Sequence, residues 1–123
     1  RRTYQNYKRR KDEEYVIAEV LFDLRISRKY RGYRFIYDGL LALLKDESLL
    51  YNIYKGLYVN LGVKYKLDLN VIERDIRTIK YITWRNHKDT YLFKGYTQAP
   101  CNGIFMDILL YEVQRRLRED SLA

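Results

Sequence analysis

The feature that most constrains this chain is a helical pattern of apolar residues near its middle. Ile72, Ile76 and Ile79 recur at intervals of three and four residues, which is the spacing of one face of an α-helix. Thr83 continues the row, so the pattern predicts a helix over about residues 70–84 with one face against a core. The rest of the chain shows helical periods and no β-type alternation, which indicates an all-helical fold.

The opposite face of this predicted helix is mainly polar. At about 100° per residue, the side chains that point away from the core are Asn70, Arg74, Arg77, Thr78 and Tyr81, with Val71 and Glu73 on the flanks. A charged outer face is common on any surface helix, so it does not indicate a binding function by itself. The segment that precedes the helix decides whether this face could bind DNA.

Two residues compete to begin this helix. Asn70 can act as the N-cap, and Glu73 three residues later would complete a capping box that starts the helix near Val71. Asp68, two residues earlier, is an alternative N-cap with the same chemistry. The sequence leaves both starts open.

A helix is also predicted in front of this one, from about residue 50 to Tyr65, with residues 66–69 as the turn. Leu57, Leu61 and Tyr65 lie at helical spacing within it. A turn this short holds two helices at a steep angle and exposes the N-terminal half of the second one. This is the layout of a helix-turn-helix, whose second helix fits the DNA major groove, about 12 Å wide.

The whole chain is predicted to form an all-α fold, a compact bundle of about five to six helices that contains the helix-turn-helix. The other predicted helices span about residues 12–26, 33–44 and 102–118. At 123 residues the chain is long enough for a single core. Residues 12–123 are therefore predicted to be one domain, preceded by a basic flexible tail or linker over residues 1–11.

The formal net charge of +8 suits a nucleic-acid partner, but much of it lies at one end. Six basic residues and no acidic residue occur within the first eleven positions. Without them, 18 basic residues face 16 acidic ones, so the predicted domain carries only a small excess. The basic stretch is either a solvated linker or an arm that follows DNA, and the sequence leaves both readings open.

Residue types that carry enzymatic and metal chemistry are scarce. The chain has one cysteine, Cys101 in a polar turn, and one histidine, His87, which is placed as an ordinary residue at a helix end. A single cysteine excludes an internal disulfide and a multi-cysteine zinc site, which fits a reducing cytoplasm. We predict no enzymatic activity, metal site or cofactor, and no apolar run approaches the roughly 18 residues that a membrane helix needs.

The helix-turn-helix region also carries a family resemblance. Residues 70–84 read NVIERDIRTIKYITW, and the residues that stand in register with the pattern SRVERAIRHAIEVAW are Glu73, Arg74, Ile76, Arg77 and Trp84. Two dipeptides of the preceding helix also agree, Leu57-Tyr58 and Lys64-Tyr65. The segment is similar to the C-terminal DNA-binding effector domain of the sporulation master response regulator of endospore-forming bacteria.

Further matches extend this resemblance over roughly residues 13–118. They are Ile26 to Tyr33, Gly95-Tyr96-Thr97 and the stretch from Pro100 to Phe105, each at its expected place in the family's domain. The specific signal is the order of these matches along the chain, because each one alone is short.

The resemblance implies duplex DNA binding, with Arg74 and Arg77 on phosphates and Glu73 accepting from a cytosine amino group. A capping box explains Glu73 equally well, and the two roles are compatible. Where the family pattern has an arginine that is implied to read guanine, this chain has Val71, which offers only an apolar contact such as one to a thymine methyl. The complete predicted DNA-binding set is Asn70, Val71, Glu73, Arg74, Arg77, Thr78, Tyr81 and Lys64.

The resemblance implies partners besides double-stranded DNA. A homodimer on tandem sites is expected, and the RNA polymerase sigma subunit is expected to meet residues 85–93. The replacement of arginine by Val71 keeps an alternative open, in which the helix-turn-helix serves protein interaction or dimerisation without specific DNA binding. A strong salt dependence of affinity for duplex DNA separates the two hypotheses, because phosphate contacts release counterions.

Overall fold

The structure is a computed structural model that describes the backbone of residues 2–122 and the side chains of residues 8–119. Its α-helices are α1 (Arg2–Asp23), α2 (Gly32–Lys45), α3 (Val59–Tyr65), α4 (Leu69–His87) and α5 (Asn102–Leu122). Short 3-10 helices at Glu47–Leu50 and Tyr91–Phe93 and a π-helical turn at Tyr54–Tyr58 lie between them. No strand occurs in this part of the chain, and the predicted all-α bundle is confirmed.

The core lies where α1, α2, α4 and α5 meet, and each helix contributes an apolar stripe at helical spacing. On α4 the predicted row is buried, from Ile72 through Ile76 and Ile79 to Thr83. The buried side chains that α2 and α5 contribute are Phe35, Ile36, Leu40, Leu43, Phe105, Met106, Leu109, Leu110 and Val113. Burial of such stripes supplies most of the stability of a helical bundle.

Helices α2 and α4 approach each other closely where α2 begins. Gly32 permits this approach, because a Cβ atom there would lie 2.5 Å from the carbonyl oxygen of Asp75 and 2.9 Å from Cδ1 of Ile79. Arg31 adds an ion pair to the Asp75 side chain, with 2.5 Å between Nε and Oδ2. The start of α2 therefore fixes the middle of α4.

Helices α1 and α5 share a network of charged side chains. Arg116 on α5 contacts Glu19 and Asp23 on α1 and Glu112 on its own helix, each at 2.8 Å. Arg115 contacts the same Glu112 at 2.6 Å. Burial alone would raise the pKa of Glu112, but the hydrogen bonds from the two arginines more than offset this and lower it below its usual value.

Several predicted helix boundaries differ from the structure, and the start of α1 and the end of α5 each differ by four residues or more. Helix α1 begins at Arg2 rather than at residue 12, so residues 2–11 belong to a helix where a flexible tail was expected. Arg1 and the side chains of residues 2–7 lie outside the described part of the chain, and the role of this basic stretch as linker or DNA arm stays a prediction. Helix α5 extends to Leu122, beyond the predicted end at residue 118.

The segment before α3 is less regular than predicted. In place of one helix from about residue 50, a 3-10 helix and a π-helical turn precede α3. A Cβ atom at Gly56 would overlap the backbone carbonyl of Leu49, so these two residues lie against each other. A straight helix would separate residues seven positions apart by roughly 10 Å. The chain must therefore fold back between them, which a continuous helix cannot do.

Candidate nucleic-acid interface

Helix α4 begins at Leu69, and Asp68 is its N-cap. The Asp68 side chain accepts a hydrogen bond from the backbone N–H of Asn70 at 2.8 Å, and the Asp68 backbone is extended. The predicted N-cap at Asn70, with a capping box to Glu73, is therefore wrong, and the competing start at Asp68 is correct. Asn70 and Val71 lie inside the first turn of the helix.

The turn between α3 and α4 comprises residues 66–68. Lys66 has a left-handed backbone conformation (φ 55°), and the N–H of Leu67 donates to the carbonyl of Gly62 at 3.0 Å. This arrangement is a Schellman motif, which ends a helix and redirects the chain within a few residues. It places α4 directly after α3 through a short turn, in the order predicted for a helix-turn-helix.

The outer face of α4 is exposed as the helical period predicts. Its exposed side chains are Asn70, Arg74, Arg77, Thr78 and Tyr81. Val71 and Glu73 are half-buried at the edges of this face. We call these seven residues the outer face of α4, and their contact with DNA stays a prediction.

Two polar contacts between side chains of this face and α4 itself can be described. Glu73 and Arg77 form an ion pair at 3.5 Å, one helical turn apart. The Thr78 hydroxyl donates to the carbonyl oxygen of Arg74 at 3.0 Å. Exposed pairs of this kind contribute only a few tenths of a kcal/mol. They therefore compete weakly with a partner that offers phosphates or base edges.

Lys64 is the predicted DNA contact that lies outside α4, near the end of α3. Its Nζ is 3.0 Å from Oδ2 of Asp38 on α2, and the hydroxyl of Tyr65 donates to the same carboxylate. Burial, followed by the bond to Asp38, raises the pKa of Tyr65 to about 12. Asp38 therefore compensates part of the Lys64 charge, and the contact of Lys64 with DNA stays a prediction.

A groove of about 790 Å³ lies along the side of α4 that faces α5. Its lining includes Tyr54, Tyr58, Glu73, Lys80 and Asn102. The Asn102 amide nitrogen donates to the Tyr58 hydroxyl at 3.0 Å and to the carbonyl oxygen of Glu73 at 3.1 Å. Burial raises the pKa of Tyr58 to about 12, so this hydroxyl is neutral at ordinary pH. The groove wall thus joins α4 to α5 and to the segment before α3.

Sequence reasoning missed Lys80 and Asn102. Lys80 is only 5% exposed, and its Nζ lies 4.3 Å from the centroid of the Tyr81 ring. The helical period could have indicated that Lys80 is buried, because position 80 borders the stripe formed by Ile76 and Thr83. Its apolar stem can follow that stripe while its ammonium group lies against the Tyr81 ring. Asn102 carries no such periodic signal, since it is the first residue of α5.

His87 and Cys101 occupy positions that the fold explains. Nε2 of His87 lies 2.9 Å from the carbonyl oxygen of Leu24, which ties the end of α4 to the chain after α1. Cys101 is an exposed free thiol in front of α5.

Within the described residues, no group of three or more His, Cys, Asp or Glu side chains is arranged to hold a metal ion. Among the same residues, no helix has both the length and the apolar character of a membrane span.

Comparison with known proteins identifies the family. No curated protein matches the chain. The family model described as Sporulation initiation factor Spo0A C terminal matches residues 17–113, which include all of α2, α3 and α4. This family comprises DNA-binding effector domains of a sporulation regulator. Because the match covers well over half of the chain, the protein belongs to the Sporulation initiation factor Spo0A C-terminal family.

Proposed function

We propose that this domain binds duplex DNA sequence-specifically as the effector domain of a bacterial transcription regulator, with α4 in the major groove. The observation that carries the proposal is the exposed outer face of α4, which presents basic and amide side chains while the opposite face is held in the core. An α-helix with its side chains is about 10–12 Å wide, which matches the groove. Membership of a DNA-binding family supports the same function.

The outer face divides by chemistry into phosphate-binding and base-reading groups. Arg74 and Arg77 are long cations that suit the phosphates bordering the groove. Asn70 and Val71 lie in the first turn of α4, where the side chains of a recognition helix meet base edges. Val71 offers an apolar contact to a thymine methyl, and Glu73 can accept from a cytosine amino group.

Further partners follow from the same function. A pair of these domains would occupy tandem sites as a homodimer. Residues 85–93, which run from the end of α4 to the 3-10 helix Tyr91–Phe93, would meet the RNA polymerase sigma subunit. Tyr91 is 67% exposed in this region, which leaves an aromatic side chain available for such a contact. Both partners would place the protein in the cytoplasm.

The salt dependence of DNA binding tests the proposal. Labelled random-sequence duplexes are titrated with the domain at several salt concentrations, and the affinity is read from fluorescence anisotropy. If about four to six phosphates are neutralised, the logarithm of affinity should fall against the logarithm of salt with a slope of about −4 to −5. Selection from a random duplex pool then identifies the preferred sequence.

A flat salt response, or no binding at low salt, would overturn the proposal in favour of a protein-interaction or dimerisation module. Val71 is the residue that favours this second function, because it places an apolar side chain at the edge of an otherwise polar face. A protein interface would show weak dependence on salt, since apolar contacts release few ions.

A further inference from the structure

A second basic surface lies beside α4, and none of its residues belongs to the predicted DNA-binding set. Residues 25–34 carry five basic side chains and no acidic one, in the order Arg25, Arg28, Lys29, Arg31 and Arg34. We call these ten residues the basic segment. It connects α1 to α2 and includes the first turn of α2. Since residues 12–123 carry only a small excess of positive charge, this segment makes their charge distribution strongly uneven.

The basic segment is fixed against one flank of α4 over about two turns. Gly32 sits against the backbone of Asp75, and Arg31 pairs with the Asp75 side chain. Further along, Ser27 and Tyr30 border the same small cavity as Ile82. Position 75 and position 82 are seven residues apart and share the flank of α4 next to its outer face. The segment therefore follows the recognition helix rather than pointing away from it.

The backbone of the basic segment is held in one conformation. The end of α1 is a Schellman motif, in which Arg25 has φ 58° and the N–H of Ile26 donates to the carbonyl of Leu21 at 3.0 Å. Ile26 is buried, which anchors the chain at that point. The Ser27 hydroxyl then accepts from the N–H of Lys29 at 3.1 Å. A binding surface that is ordered in advance loses less entropy when its partner arrives.

The charges of Arg28 and Lys29 lie at the exposed tip of this turn. Arg31 has a carboxylate partner in Asp75, which offsets its charge. In the described part of the chain, no ion pair joins Arg28 or Lys29 to an acidic side chain, so neither charge is compensated in this way. The two cations thus add an uncompensated positive patch beside the face of α4 that is proposed to enter the groove.

Helix α4 would fill the width of the major groove, so the phosphate rows would run directly along its flanks. We infer that the turn carrying Arg28 and Lys29 is a phosphate clamp, which grips the DNA strand that borders the groove on the α2 side of α4. This inference rests on the proposed function of α4. The clamp contributes affinity and sets the orientation of α4 in the groove, but it carries no base preference, because phosphates are the same in every sequence.

The test compares single charge removals at matched sites. Arg28→Gln and Lys29→Gln each remove one charge from the turn, while Lys45→Gln removes one from an exposed site at the far end of α2. Each variant is titrated against the same random duplex and the same preferred duplex over a range of salt. Arg28→Gln and Lys29→Gln should each make the salt slope shallower by about 0.9 and weaken binding about five-fold near physiological salt. The loss should be equal on both duplexes.

Two further comparisons make the result decisive. Arg28→Lys, which keeps the charge, should retain the slope, and Lys45→Gln should leave both slope and affinity unchanged. Unaltered slopes for Arg28→Gln and Lys29→Gln, with tight binding by the unmodified domain, would overturn the clamp and leave the function of α4 standing. An equal effect of all three charge removals would also overturn it, because the response would then reflect overall charge. Failure of the unmodified domain to bind any duplex would instead overturn the proposed function.

Discussion

The amide nitrogen of Asn102 donates to the backbone carbonyl oxygen of Glu73 across 3.1 Å. The same nitrogen donates to the buried hydroxyl of Tyr58 at 3.0 Å. One side chain at the start of α5 therefore joins the second turn of α4 to the π-helical turn before α3. It supports the end of α4 that is proposed to read base edges, although Asn102 itself is buried behind that end.

Replacement of Asn102 by alanine should loosen this junction. The buried Tyr58 hydroxyl and the part-buried Glu73 carbonyl would each lose a hydrogen-bond donor, which costs about 1–3 kcal/mol of unfolding free energy. Urea denaturation followed by circular dichroism measures the change. Asp107→Ala is the control, because Asp107 is exposed on the same helix and should alter stability by less than about 0.5 kcal/mol. Equal stability of the two variants would show that the Asn102 bonds do not hold α4.

Introduction of arginine at Val71 should change sequence preference. Val71 is half-buried at the edge of the outer face, so a longer side chain can extend toward the groove without entering the core. We expect Val71→Arg to favour guanine at one position by about 1–3 kcal/mol over other bases, because its planar fork donates to O6 and N7. Selection from a random duplex pool gives the preference. A variant that folds normally but selects the same sequences would show that this end of α4 does not read bases.

Removal of the Arg77 side chain should weaken binding without altering preference. Arg77 is 47% exposed, and its pairing with Glu73 at 3.5 Å is weak enough to yield to a phosphate. Arg77→Ala should reduce affinity by a similar factor on all duplexes and make the salt slope shallower by about one. Anisotropy titrations on preferred and random duplexes provide both values. A loss confined to the preferred duplex would instead assign Arg77 to a base.

Alanine substitutions at two glycines should distinguish a position where two helices touch from a position with open space around it. Gly32→Ala places a methyl group 2.5 Å from the carbonyl oxygen of Asp75, so α2 and α4 must move apart. We expect a loss of about 1–3 kcal/mol in unfolding free energy and weaker DNA binding. Gly103→Ala is the matched control: it lies in α5 with no atom within 4 Å of the new Cβ, and alanine favours helix. Thermal unfolding of both variants tests the contrast, and similar melting temperatures would contradict it.

Acid should destabilise the domain partly through Glu112. Burial alone would raise the pKa of Glu112, but hydrogen bonds from Arg115 and Arg116 lower it in the folded state. A lowered folded pKa stabilises the fold above the ordinary value of about 4.5, and this stabilisation is lost as the pH falls through the lowered value. Glu112→Gln should cost about 1.5–3 kcal/mol at neutral pH, since two arginines lose a charged hydrogen-bond partner. Urea denaturation between about pH 3 and pH 7 should show that the variant loses less unfolding free energy on acidification than the unmodified domain. An identical pH dependence of the two proteins would exclude a contribution of Glu112 to acid sensitivity.

The regular helices were predictable because their signals are local and periodic. The row of Ile72, Ile76 and Ile79 defined both the buried and the exposed face of α4, and the structure has the same two faces. The choice between Asp68 and Asn70 as N-cap was not predictable in this way. Both side chains have the right chemistry, and the selection depends on where the Lys66 turn leaves the backbone extended.

The features that the sequence did not reveal depend on contacts between distant residues. The irregular segment before α3 follows from the approach of Leu49 to Gly56, and a helical period cannot show such a contact. The bonds of Asn102 reach back 29 residues to Glu73 and 44 residues to Tyr58. The ion pair of Arg31 with Asp75 likewise spans 44 positions. The sequence shows the chemical type of each of these side chains, but it does not show which distant residue each one contacts.

The separation between the two faces of α4 has a consequence for how such regulators diverge. In the described part of the chain, no hydrogen bond or ion pair connects the side chains of Asn70, Arg74 or Thr78 to another helix. Their replacement therefore leaves the packing of the bundle untouched. Under the proposed function, a lineage can therefore change its DNA contacts at these three positions while the bundle remains folded. If the outer face contacts DNA as proposed, one helical bundle can serve many DNA sites, because the residues at the DNA are separate from those that hold the helices together.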